Sequence, residues 1–267
     1  MNLSTAKMVL EENGIEVTQM DTLKGSCRVS GLSIGSGPVK PTIYDHTIKD
    51  MAKDQLLDFV HDIQQAKPDI NLSILLDREF ILDNCITCIR HETDDNTHLK
   101  WIVYGDLEEI IKINLGNDAN GSQMSVTVTN AMLDNTDISA DELRIKARSN
   151  LRKHVCIRRM SDVLGGLIGS TDDSAITREP DECLYVASVD NNINGASVML
   201  LDDVLYDFCI DKGINSVYII PSSLHEVLLF PVIMDEDTIN SMIREINTTQ
   251  LDNWDILSDH LYVYSIS

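Results

Sequence analysis

Ser222, Ser223, His225 and Glu226 sit together in the stretch VYIIPSSLHEVLLFP, residues 217–231. A hydroxyl, an imidazole and a carboxylate at such spacing are the parts of a hydrolase site. A serine nucleophile needs a base within hydrogen-bond reach, and usually an elbow of the G-x-S-x-G kind. No such elbow is present. Two apolar runs flank the polar corner, so the stretch reads first as a tight β-hairpin. In such turns serine hydroxyls commonly bond nearby backbone groups. The corner stands as a candidate binding site on an exposed turn, and catalysis is the lesser reading.

Other chemistry-bearing spacings are weaker. Cys85-Ile86-Thr87-Cys88 is a C-x-x-C, as used in zinc knuckles and thiol redox sites. No second close pair completes a zinc site. The motif also falls in an extended segment, where residues three apart point to opposite faces. His91 and His98, with Glu92, Asp94 and Asp95 between them, lie in a polar loop and lack H-E-x-x-H. Gly165, Gly166 and Gly169 are followed by no Walker lysine and form no G-x-G-x-x-G after a strand. No metal and no cofactor is expected. Arg144, Arg148 and Arg152 repeat every four residues and form one stripe on a helix. They are a candidate anion or acidic-partner site, weighed against a solvated face pairing with acidic neighbours.

These groups must be placed by a framework legible in the hydropathy pattern. A helix is expected near 4–12, strands near 16–20, 27–34 and 41–45, and a second helix over 48–66 with Met51, Leu56, Phe59, Val60 and Ile63 on one face. Residues 81–91, 106–115 and 124–133 read as extended. Residues 137–154 read as the clearest helix: Ser139 and Glu142 fit a capping box, and Leu143, Ala147, Leu151 and Val155 make its stripe. The polar, acidic stretch 170–181 reads as a linker. It separates an N-terminal portion, 1–169, from a C-terminal portion, 182–267. The latter shows the order β-α-β-β-α-β of split βαβ, ferredoxin-like units. The fold class expected is α+β, with mixed or antiparallel sheets and packed helices.

Composition narrows function further. The 267 residues are 43% hydrophobic, enough to bury a core. No apolar run reaches membrane-spanning length, and the N-terminus lacks the apolar region of a signal peptide. Six cysteines scattered through the chain do not suggest a disulfide scaffold. A cytoplasmic protein is expected. The 21 basic and 43 acidic side chains give a net charge of -22. Such a surface repels phosphate and disfavours direct nucleic-acid binding. Seven of the 21 basic residues fall within 144–159.

Four segments resemble an uncharacterised bacterial family, domain of unknown function 5688. They are GLSIG…PTIYD (31–45), TDISADELRIKARSN (136–150), INGASVMLLDDVLYDFCIDKGINSVYIIPSSLHEVLLFP (193–231) and IREINTTQLDNWDILSDHLYVYS (243–265). The likeness runs in order along nearly the whole chain. It implies a cytoplasmic bacterial protein and brings no activity with it. The sequence departs from the family pattern at 93–109, which is shorter and more polar. The leading expectation is a non-catalytic regulatory or protein-interaction protein with an unidentified protein partner. One alternative is an acidic inhibitor that mimics nucleic acid and comes from a mobile element. The other is a small-molecule hydrolase built on Ser222, Ser223 and His225.

Overall fold

A computed structural model of the chain describes residues 1–36, 40–65, 71–117, 123–168 and 184–266. It forms two compact units, Met1–Ser73 with Gly116–Met124, and Ile74–Leu115 with Ser125–Ser267. The stretch expected to be a linker, 170–181, lies outside the described residues, as do Gly169 and Cys183.

The first unit contains α1 (Leu3–Glu12), β1 (Val17–Lys24), β2 (Cys27–Ile34), β3 (Thr42–Tyr44), α2 (Asp45–Ile48) and α3 (Lys53–Gln65). Its sheet runs β1-β2-β3 and is antiparallel. Asn2 caps α1 by accepting from the Thr5 backbone N–H at 2.9 Å. The core joins Ala6 and Leu10 of α1 to Leu32, Ile43, Leu56 and Val60. The second helix begins at Lys53 and not near 48, so Met51 lies before it, but the rest of the expected stripe faces inward, with Leu56 and Val60 fully buried and Phe59 and Ile63 packed at the margin.

The second unit carries α4 (Arg78–Asn84), β4 (Cys85–His91), β5 (Lys100–Val103), β6 (Leu107–Asn117) as far as Leu115, β7 (Gln123–Thr127) from Ser125, α5 (Asn130–Leu133), α6 (Ala140–Arg152), β8 (Val155–Arg159) and α7 (Met160–Ile168). Then come β9 (Tyr185–Val189), a 3-10 segment (Gly195–Leu200), α8 (Asp202–Lys212), β10 (Ser216–Ser223), β11 (Glu226–Pro231), α9 (Glu236–Thr249) and β12 (Tyr262–Ser265). One sheet has β6 between β4 and β5, with β7 also paired to β6. The other is five-stranded, in the order β12-β10-β11-β9-β8. The α+β class holds, with antiparallel sheets.

Three local expectations change. Residues 81–84 are helical, because Asp77 accepts from the backbone N–H groups of Glu79 and Phe80 and nucleates α4. Residues 130–133 form a helical turn capped by Thr129, which accepts from Met132 N–H. Val155 leaves the helical stripe: α6 stops at Arg152, and Val155 starts a strand paired with Val189. Cross-strand pairing overrides the helical period there.

The C-terminal element order is β-α-β-β-α-β as read. β9 and β10 both run antiparallel to β11, which lies between them, so the first half is a split βαβ unit. The last strand differs from a ferredoxin-like sheet. There it would lie beside the first strand; here β12 pairs with β10, and β8 occupies the far side of β9. The period-two pattern of β10 explains its placement. Val217 and Ile219 enter the core shared with the 3-10 segment and α8, and Tyr218 on the opposite face meets Ile239 and Ile243 of α9. No helix among the described residues is long and apolar enough to cross a membrane.

Candidate functional site

The Ser/His corner closes the β10–β11 hairpin. Ser223 pairs with Glu226 across a two-residue turn, after an irregularity between Pro221 and Ser223. The turn is packed, not free. Leu224 is buried, its N–H donates to Asp255 O at 2.9 Å, and its carbonyl accepts from Ala196 N at 3.3 Å. The His225 carbonyl accepts from Ser188 Oγ at 2.7 Å. His225 Nδ1 accepts from the Asn194 backbone N–H at 3.3 Å, so Nε2 carries the proton of the neutral ring. That nitrogen lies 3.7 Å from Asp255 Oδ1. Gly195 completes the fit: a Cβ there would lie 2.2 Å from Ser188 Oγ and 2.5 Å from His225 O.

The hydroxyls go elsewhere. Ser222 Oγ donates to Glu226 Oε1 at 3.1 Å, and Ser223 Oγ accepts from the His225 N–H at 3.0 Å. The structure brings Ser222, Ser223, His225 and Glu226 together, but it bonds each serine locally and not to the imidazole. What the arrangement does is lock the 194–196 loop onto the hairpin.

The arginine stripe divides in two. Arg144 and Arg148 converge on Glu109, whose side chain is fully buried. Arg144 Nε and Arg148 Nη2 reach Oε2 at 2.8 and 2.6 Å, and Arg148 Nε reaches Oε1 at 2.8 Å. Thr87 Oγ1 donates to Oε1 at 2.7 Å. Burial alone would raise the Glu109 carboxyl, but the bonds from Arg148, Arg144 and Thr87 outweigh it and hold the pKa low. Arg144 also lies over the Trp101 ring, 4.7 Å from its centroid. Arg152 stands apart and reaches Asp203 at 2.7 Å and Asp207 at 3.6 Å on α8.

A model of a family of unknown function, DUF5688, matches residues 6–266. The chain belongs to the DUF5688 family. No curated protein and no solved structure matches it. In this DUF5688 chain the hairpin corner, α6 and the C-terminal strand all fall inside the matched span.

Sequence reasoning missed two further clusters. Glu108 is also fully buried, and it bonds Arg90 at 2.6 Å, Lys100 at 3.0 Å and the Thr93 N–H at 3.2 Å. Burial would raise this carboxyl too, and the bonds from Lys100, Arg90 and Thr93 bring it below its ordinary value. The visible signal was the polar departure at 93–109, which supplies Thr93, Lys100 and both glutamates. The second cluster centres on Asp106. Tyr262 donates its hydroxyl at 2.9 Å and Ser258 its own at 3.3 Å, while His91 and His260 each come within 3.9 Å. It ties the LSDHLYVY segment of the DUF5688 likeness to the β5–β6 connection. Ser258 is buried, so its hydroxyl holds structure and presents nothing to solvent.

Cys85 and Cys88 lie on β4 with side chains on opposite faces, and both are buried. Burial pushes the Cys85 thiol up to about 11 and raises Cys88 as well. His98 Nδ1 lies 3.3 Å from Asp95 and 3.4 Å from Arg90 Nη2, whereas His91 meets Asp106. Among the described residues no group of three or more His, Cys, Asp or Glu is placed to hold a metal ion.

Proposed function

We propose that this DUF5688 chain is a non-catalytic protein that acts by binding and regulating a partner protein. The observation that carries the reading is the bonding at the hairpin corner. His225 Nδ1 accepts from Asn194 N–H, and Ser222 and Ser223 bond Glu226 and the His225 backbone. A base in that state is directed at the fold, with no hydroxyl aimed at it to activate. Arg144 and Arg148 are likewise matched by Glu109. The setting we propose, from the family likeness, is the bacterial cytoplasm. The partner we propose is a basic protein, because a chain of net charge -22 attracts cations and repels phosphate.

Affinity capture with the tagged full chain from host extract tests this, read by mass spectrometry across a salt series. The expected result is one basic protein in near-equimolar yield, released as salt rises. Turnover of an ester or phosphoester substrate that is lost in His225→Ala would overturn the reading in favour of a hydrolase.

A further inference from the structure

We infer that His225 is an acid-released latch on the loop 190–194, an inference independent of the binding reading above. The loop joins β9 to the 3-10 segment. It holds Asn192 and Asn194 at φ of 53° and 56°, in the left-handed region that L side chains rarely adopt. Bonds to neighbouring elements keep it there. At its C-terminal end the Asn194 N–H donates to His225 Nδ1 at 3.3 Å. That bond needs a bare ring nitrogen. An imidazolium carries N–H at both positions, so Nδ1 would then meet the Asn194 N–H donor to donor. The ring is 45% exposed, and protons reach it from solvent. Imidazole is the side chain whose ordinary range, about 6.5, falls within physiological pH.

The charged groups around the ring set the direction. Asp255 Oδ1 lies 3.7 Å from Nε2, and Asp255 is tied to the turn because its carbonyl accepts from Leu224 N–H. Neither side of that contact belongs to the loop, so it persists whether the loop is closed or open and cancels from the difference. Glu226 on β11 accepts from Ser222 and also stays with the hairpin. Lys112 on β6 reaches the Asn194 side chain, Nζ to Oδ1 at 3.4 Å, so an imidazolium at 225 would add a second positive charge beside Asn194. At the other end of the loop His154 Nδ1 lies 2.9 Å from Asp190 Oδ2. A proton on His154 strengthens that pair and acts in the opposite sense, holding the Asp190 end. The contact that differs between closed and open loop is therefore the one at Nδ1. The proton prefers the open state, so the latch holds above the imidazole range and is lost as pH falls through it. Neutral His225 closes the loop, and the imidazolium releases its Asn194 end.

Residue-resolved amide exchange and amide NMR spectra of the full chain, from about pH 7.5 to about pH 5.5, test the latch. After correction for the intrinsic exchange rate, protection of the Asn194 amide is expected to fall about tenfold with acid. Ile219, buried in β10, is expected to keep its protection. His225→Asn sets an amide oxygen where Nδ1 stands, an acceptor that does not titrate, so in that variant Asn194 protection is expected to stay level. In the natural chain the Asn194 amide signal and the His225 ring signals are expected to move with one midpoint, a readout that needs no variant to fold. An Asn194 amide that keeps its protection, or that moves with a midpoint other than that of His225, overturns the proposal. An equal fall in His225→Asn, or an equal fall at Ile219, assigns the change to other groups or to general loosening and overturns it as well.

Discussion

Glu108 and Glu109 are neighbours on β6 and send two buried carboxylates to opposite faces of one sheet, each to its own cations. Glu108 meets Arg90 and Lys100, and Glu109 meets Arg144 and Arg148. The period of a strand makes this placement unavoidable. The two networks pin the 93–100 loop on one side and α6 on the other.

Breaking such a pair leaves uncompensated charge in a dry site. Glu109→Gln keeps the shape and the Thr87 bond but removes the charge that faces two guanidiniums. Because Arg144 and Arg148 retain partial access to solvent, the loss belongs at the lower end of the range for buried pairs, about 3 kcal/mol. Urea unfolding of the two proteins at neutral pH reads it. A difference below about 0.5 kcal/mol would place the pair among ordinary surface contacts.

The same pair sets an acid limit. Both carboxyls lie below their ordinary value of 4.5 in the folded chain. A depressed folded pKa adds stability that is complete above the unfolded value and is lost as pH falls through the folded one. The melting temperature should therefore be level above about pH 5 and fall steeply below 4.5. Glu109→Gln should start lower and fall less steeply. An acid limb with the same slope in both proteins would count against this origin.

Gly195 lies where the 3-10 segment crosses the hairpin turn. A Cβ there would crowd Ser188 Oγ, His225 O and Val189 N at 2.2, 2.5 and 2.8 Å. Two of these atoms are backbone and cannot swing aside. Gly195→Ala should cost about 3 kcal/mol, measured by thermal or urea unfolding. By contrast, Ser222→Ala and Ser223→Ala each remove one local bond and should cost about 1 kcal/mol.

Thiol labelling separates the C-x-x-C from redox chemistry. Cys85 and Cys88 are buried, with thiols raised by burial, whereas Cys27 and Cys156 are partly exposed. Peptide mapping after brief native treatment with iodoacetamide should find Cys85 and Cys88 unmodified and Cys156 alkylated. Fast labelling of Cys85 would mean that α4 and β4 open readily.

Much of this was legible in the sequence. The N-cap of α6 is where the sequence puts it, with Ser139 Oγ accepting from Glu142 N–H at 3.2 Å, while the Glu142 carboxylate turns to Arg78 and not back to Ser139. The alternating pattern around the Ser/His corner gives the hairpin, and C-x-x-C in a strand gives opposed cysteines. Val155 misled because its spacing from Leu151 continues a helical stripe, and only its pairing with Val189 makes it a strand residue. Residues 108–109 were silent in another way. Residues 106–115 read only as extended, and nothing in that pattern shows two buried glutamates, because their burial depends on Arg90, Lys100, Arg144 and Arg148 arriving from other elements. The Asp106 cluster joins residues more than 150 positions apart, beyond any local pattern.

The most direct test of the account is the quantified capture of a partner by two baits: the natural chain and Ser222→Ala/Ser223→Ala/His225→Ala. The account predicts one basic protein, near-equimolar with each bait and lost as salt rises. No stoichiometric protein on the natural chain, with hydrolytic turnover abolished in the triple variant, would contradict it.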